Sequence, residues 1–405
     1  MATDRPARPL AWWLLLATLA LLPFGVAPEL PVLIGALVGV AQILRGQIDW
    51  TKPAVRIALV IGLGYWLAEF ISAWDSVVPT KSWSEAALDL RLVAFLVFVA
   101  ASRWRTRDLH ALTAGIGLIA ALWCLDAVVQ VGFGVSLGGP LQGDRLSGIF
   151  GDDNLKLGGV LAVLAPIVLC VAHRLGGTRG LVVAWVLLLS LILLAGARAA
   201  WLGFALGTAL VFWRVYGGRR ASLALAVLAV ASLALATLAY STSARFAERV
   251  ERSVQAFRAD RAGLDHALSG RLEIWDAAWR MSAAHPVNGV GVRGFRHAYP
   301  AYANADDPFV EGDTGAFHAH QIVLEVLSET GLIGLVIWLG MIGAVLRLCR
   351  QHARHASGAA NGTGIAVLVA VFPLNTHYAV YSAFWGLFLC WLIAVWLAAL
   401  AVDQS

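Results

Sequence analysis

The sequence predicts an all-α, polytopic membrane bundle of about 12 transmembrane helices with one large helical loop on a single side. Three observations carry this. Of 405 residues, 60% are hydrophobic and only 14% charged, whereas a soluble domain carries about 45–50% apolar and about 25% charged residues. Apolar runs near the ~20 residues that cross a hydrocarbon core recur from end to end. Between Ser241 and Glu325 the composition turns abruptly polar, with 9 arginines and 11 acids. The net charge of +5 does not point to nucleic acid, because the basic residues lie at span ends and form no stripe.

In chain order the predicted spans are residues 10–26, 30–44, 56–74, 88–102, 109–132, 157–172, 180–197, 199–213, 221–240, 321–346, 363–378 and 382–401. The chain therefore divides into residues 1–240 with nine spans, a loop over 241–320, and residues 321–405 with three spans. The basic start MATDRPARPL has no small-residue cleavage pattern after its apolar run, so the first run reads as an uncleaved span. Short basic segments alternate along the chain: Arg45, Lys52 and Arg56; Arg103, Arg105 and Arg107; Arg174 and Arg179; Arg214, Arg219 and Arg220; Arg347, Arg350 and Arg354. The positive-inside rule puts these, and both termini, in the cytoplasm. The polar loop and any chemistry built on it then face outward. Cys124, Cys170, Cys349 and Cys390 lie in or beside apolar runs with no metal spacing and read as small hydrophobes.

Two amphipathic helices are expected in the loop. RFAERVERSVQAFRADR repeats Phe246, Val250, Val254 and Phe257 at helical spacing; GRLEIWDAAWRMSAAHP places Leu272, Trp275 and Trp279 on one stripe and stops before Pro286. The following HPVNGVGVRGF contains Gly289, Gly291 and Gly294 as a literal GxGxxG, but it lies in a loop after a helix and not in a βαβ unit. It reads as a glycine-rich turn.

Several polar residues are candidates for chemistry. Arg198, in LLLAGARAAWLG, stands at the junction of two spans with no acid beside it, a position that suits either an anion site or a snorkelling interface arginine. Arg271 opens the second loop helix, where an arginine usually only faces water. His318 and His320, in GAFHAHQIVLEVLSETGLIGL, stand at the mouth of the tenth span. A histidine there can take a hydroxyl proton near neutral pH, or merely cap the helix. Arg145 and Asn154 in DRLSGIFGDDNLKLGG, and His377 and Tyr381 in NTHYAVYSAFWG, are possible supporting groups; helix-dipole and interface roles account for them equally well. No third ligand is spaced for a metal, and no Walker motif is present, so neither metal nor cofactor is expected.

RLSGIFGDDN, AGARAAWLG, SGRLEIWDAAWRMSAAHPVNGVGVRGF and HAHQIVLEVLSETGLIGL, in that order over residues 140 to 345, resemble the O-antigen ligase (WaaL) family, within the group that includes O-antigen polymerases and protein O-oligosaccharyltransferases. The family often has His-Asn where this chain has His320-Gln321. The resemblance implies transfer of O-antigen polysaccharide from undecaprenyl pyrophosphate to a sugar hydroxyl of lipid A-core, on the periplasmic face of the inner membrane. It implies Arg198 and Arg271 on the pyrophosphate and His320 as general base, with inversion and without a metal. A polymerase, a protein glycosyltransferase or, with more distant fit, a transporter are the alternatives. Few charges fall within the spans, Glu69, Arg91 and Asp126 among them, which speaks against transport.

Overall fold

The computed structural model describes residues 7–141, 145–151, 156–242, 244–254, 265, 268–352, 358–376 and 379–402. The chain is all-α: α1 (Leu10–Leu21), α2 (Glu29–Leu44), α3 (Pro53–Ser72), α4 (Pro79–Ala101), α5 (Thr106–Phe133), α6 (Lys156–Ala195), α7 (Arg198–Tyr216), α8 (Gly218–Thr242), α9 (Ala244–Val254), α10 (Arg271–Ala284), α11 (Phe295–Tyr302), α12 (Ile322–His352), α13 (Gly358–Ala370) and α14 (Ala383–Val402). A two-residue antiparallel pairing of Val135–Ser136 with Gly139–Pro140 accompanies them.

Helix α6 breaks at Gly176 and Gly177, whose backbone leaves the helical region, so it folds as two antiparallel spans. Counted this way, the described residues contain twelve apolar helical segments, close to the expected positions except in the eleventh. Seven of the helices are long and apolar enough to cross a membrane by length and composition among the described residues; α1, α2 and the apolar part of α13 are shorter. Helix α4 is 23 residues long but carries Lys81, Glu85, Asp89 and Arg91. The expected span 363–378 is corrected: α13 stops at Ala370, and residues 371–376 run irregularly towards the site.

Helix α14 is the central post, with 83% of its apolar window buried. Trp391 Nε1 donates to Leu15 O of α1 at 2.8 Å, and Tyr65 Oη of α3 donates to Val380 O just before α14 at 3.0 Å. Helix α8 lies at the other extreme, 11% buried, with Val227, Val230 and Leu233 exposed as a lipid-facing surface requires. Arg91 bonds Glu29 and Asp89 at 2.9 and 2.5 Å, and Asp126 Oδ1 accepts the Leu137 N–H at 2.7 Å. This is a multi-pass membrane protein.

The polar segment forms a separate small core over one end of the bundle. Helix α9 buries Phe246 against Trp201, ring centroids 5.6 Å apart, while Val254 is exposed and Phe257 lies outside the described residues. Helix α10 departs from the expected stripe. Its buried face is Ile274, Ala277, Ala278 and Met281, and Trp279 is 64% exposed. Small residues let α10 approach the segment before α12 closely, whereas the bulkier Trp279 points away.

The glycine pattern is a turn. Val290 and Gly291 donate to Ser328 O and Glu329 O of α12 at 2.8 and 3.0 Å, and Val77 donates to Val290 O at 3.0 Å. Gly291, at φ +95°, passes so close to Ser76 that a Cβ would lie 2.1 Å from its Oγ, which only glycine tolerates. The turn clamps the polar segment onto both α12 and the α3–α4 connection.

Candidate functional site

Chain alternation brings the starts of α6, α7, α12 and α14 and the end of α13 to one end of the bundle, under the polar segment. Arg198 is the first residue of α7, after Gly196 in the left-handed region at φ +73°. Its Nη2 donates to Ser269 Oγ at 3.0 Å. Ser269 and Gly270, both left-handed, turn the chain into α10, and Asp265 fixes that turn by accepting the Leu272 N–H at 3.0 Å and, through its carbonyl, the Gly270 N–H at 2.9 Å. Arg271, the next residue, therefore emerges beside Arg198. Its Nη1 donates to Thr376 Oγ1 at 2.7 Å, in the irregular stretch before α14.

Arg145 joins them. Leu146 N donates to Leu194 O at the end of α6, and Gln130 accepts the Ser147 and Gly148 N–H groups at 3.1 and 2.7 Å, which anchors the segment. Burial, then the charges of Arg198 and Arg145, push the Arg271 guanidinium down to about 10. It stays protonated at neutral pH, but in surroundings that disfavour its charge. Such a cluster of cations has the charge and geometry that suit an anion.

His320 faces this cluster. Its backbone is left-handed at φ +51°, a conformation that costs a non-glycine residue of order 1–3 kcal/mol. Trp275 Nε1 donates to Ala319 O at 3.1 Å, and Gln321 donates to Pro373 O at 3.2 Å while accepting the Leu324 N–H at 2.5 Å. The residue after His320 thus caps α12 and ties it to the stretch carrying Thr376. Burial first, then the Arg271 guanidinium, push the His320 imidazole down to about 4, partly offset by a hydrogen bond with the Thr376 backbone. The ring is neutral at pH 7, and its buried Nδ1 has no hydrogen-bond partner among the described residues.

The His318 ring packs tilted at 45° against that of His320, centroids 3.9 Å apart, and its Nδ1 accepts the His320 backbone N–H at 3.3 Å. Its ring faces away from the arginines, with Nδ1 3.6 Å from Glu325 Oε2. Tyr381 belongs to that further side too: it is buried, with Oη 3.4 Å from Thr330 Oγ1 and its carbonyl accepting Arg293 Nη1 at 3.3 Å. Asn154 and His377 lie outside the described residues. Sequence reasoning missed Thr376, whose only signal was its place beside His377 in a polar turn. It also missed Glu325, Glu329 and Arg293, hidden in an apolar run and a glycine-rich turn.

With this geometry in view, the comparisons are informative. Residues 182–339 match the O-antigen ligase family model. Among curated proteins the chain resembles the exopolysaccharide production protein ExoQ of Rhizobium meliloti (strain 1021), 29% identical over 120 residues, which span 27% of this chain and 27% of that protein. The matched region contains Arg198, Arg271, His318 and His320. The likeness to the O-antigen ligase family thus covers residues 182–339 and takes in the loop helix α10 and the start of α12.

Proposed function

We propose that the protein is a glycosyltransferase that moves an O-antigen polysaccharide from undecaprenyl pyrophosphate to a sugar hydroxyl of lipid A-core at the periplasmic face of the bacterial inner membrane. The observation that carries it is a cluster of Arg145, Arg198 and Arg271 next to a neutral imidazole whose Nδ1 has no partner among the described residues. The 241–320 segment is then a periplasmic cap between two groups of spans, and the basic residues at the opposite end of the bundle support a cytoplasmic side there.

In this reading Arg198 and Arg271 grip the pyrophosphate, and Arg145 adds charge. The acceptor hydroxyl attacks the anomeric carbon as its proton passes to His320 Nδ1. The new C–O bond forms, the anomeric C–O bond to pyrophosphate breaks, and the electron pair leaves on the phosphate oxygen. Direct displacement inverts the anomeric centre. The guanidiniums meet the charge that develops on the leaving group, each contact being worth about 1.5–3 kcal/mol, so turnover needs no metal. His320 contributes about 10²–10⁴-fold. Its depressed basicity in the empty site rises once the diphosphate offsets Arg271, so donor binding itself arms the base.

A second reading, joining one lipid-linked repeat to another, is favoured by the likeness to ExoQ, whose name refers to exopolysaccharide production. Both readings share the same clamp and base. Reconstituting the purified protein with labelled undecaprenyl-pyrophosphate O-antigen and three acceptors tests them. Label on lipid A-core supports the ligase; label on a second lipid-linked repeat supports the polymerase; label on a serine or threonine peptide refutes both.

A further inference from the structure

On the far side of the histidine pair from the arginines lies a second pocket of about 200 Å³, lined among others by Arg293, Arg296, Phe317, His318, Glu325 and Ser382. Glu325 is 2% exposed, yet its Oε2 has no hydrogen-bond partner among the described residues; the nearest polar group recorded is His318 Nδ1 at 3.6 Å. A buried carboxylate oxygen without a donor is costly unless a ligand supplies one. Phe317 is 72% exposed, and the Arg296 guanidinium covers one of its faces at 4.3 Å, leaving the other open. An aromatic face beside a carboxylate is the pairing that sugar rings use: C–H groups on the ring, hydroxyls on the acid.

Lys81, Arg293 and Arg296 share this pocket with Glu325 and Glu329, and Glu85 Oε1 is 3.8 Å from Arg293 Nε. Glu329 also accepts the Arg293 and Phe295 N–H groups at 3.1 and 3.3 Å, which fixes the turn carrying Arg293. Ser382 also lines a groove of about 510 Å³ between α2, α4 and the start of α14. Leu30, Leu33 and Leu88 there are 60%, 44% and 60% exposed, as lipid-facing side chains are, and the groove's Arg91 is already paired with Glu29 and Asp89.

We propose that this pocket binds the acceptor: a lipid-anchored, hydroxyl-rich glycan whose terminal sugar stacks on Phe317 and donates a hydroxyl to Glu325, with its lipid lying along the groove. The inference rests on the transferase reading and completes it, because donor diphosphate and acceptor sugar then approach His320 from opposite sides.

The test uses the full chain in lipid nanodiscs and a dodecyl glucoside carrying a photoreactive diazirine on its alkyl chain, with crosslinks mapped by mass spectrometry. The expected result is labelling of α2 and α4 that falls at least fivefold in Phe317→Ala and in Glu325→Gln, and is unchanged by Arg271→Ala and by excess inorganic pyrophosphate. Phe317 is exposed, so its variant folds even where Glu325→Gln does not. Equal labelling by a sugar-free alkyl diazirine, unchanged labelling of Phe317→Ala, or displacement by a serine/threonine peptide in place of unlabelled glycolipid overturns the proposal. Pyrophosphate binding is measured in parallel on the same sample. If pyrophosphate fails to bind while the glucoside labels the groove, the transferase reading falls and the glycan site stands; the reverse pattern removes the glycan site alone.

Discussion

Removing Arg271 separates binding from folding, and the structure fixes the direction of both effects. The fall of its guanidinium from the ordinary arginine value to about 10 corresponds to about 3 kcal/mol by which the surroundings disfavour the charge. Because the residue is only half-buried, solvent makes that figure a ceiling. A base whose folded pKa lies below its unfolded value opposes folding at every pH beneath both, so Arg271→Ala relieves this penalty at neutral pH. It also forfeits the hydrogen bond to Thr376, worth about 0.5–1.5 kcal/mol. The unliganded variant is expected to melt at or above the wild-type temperature. Pyrophosphate reverses the ordering. Loss of one charge-assisted contact of about 1.5–3 kcal/mol weakens its binding roughly 10- to 150-fold. At a concentration 100 times the wild-type Kd, pyrophosphate stabilises the wild type by about 2.7 kcal/mol, but a variant binding 100-fold more weakly by only about 0.4 kcal/mol. The assay is a thermal-shift titration of purified protein with inorganic pyrophosphate. A variant that melts lower without ligand and keeps the full ligand-induced shift would refute the reasoning.

Other consequences can be checked independently. His320 must be neutral to accept a proton, so activity falls as pH drops through its pKa. The limb in kcat/KM, which reports the free enzyme, is expected near pH 4, and the limb in kcat at higher pH, because bound diphosphate offsets Arg271; coincident limbs would remove the arming step. Gly291→Ala puts a methyl 2.1 Å from Ser76 Oγ at a left-handed position and is expected to destabilise the clamp by about 2 kcal/mol or more, seen as faster limited proteolysis between α10 and α12; unchanged proteolysis contradicts this. Turnover is expected to survive EDTA; activity that disappears and returns with a divalent cation would show that the arginines do not suffice.

The bundle was legible because a bilayer demands long apolar runs, and those runs are written contiguously. Even the break of α6 was readable in the sequence, as a polar interval at Gly176–Gly177 between two runs. Helix faces were harder. The Trp275–Trp279 stripe of α10 satisfied helical periodicity, but the contact uses Ala277 and Ala278 because close backbone approach favours small side chains. The site was legible only as a set of unusual positions. Arg198 stood out by lacking a counter-ion in sequence, whereas Arg271 was ordinary until the fold set it 2.7 Å from Thr376. Convergence of residues 145, 198, 271, 320 and 376 is a property of tertiary packing with no local signature. Glu325 and Glu329 were passed over for the same reason: a carboxylate within an apolar run announces burial but not what it faces.

The central claim is that His320 takes the acceptor proton while the arginines hold the diphosphate, and a paired measurement on His320→Ala addresses it most directly. Binding of labelled undecaprenyl-pyrophosphate O-antigen and single-turnover transfer to lipid A-core are followed on the same preparation. The account predicts donor affinity within a few-fold of wild type and a transfer rate lower by about 10²–10⁴-fold. Transfer at the wild-type rate, or loss of donor binding equal to the loss of transfer, would contradict it.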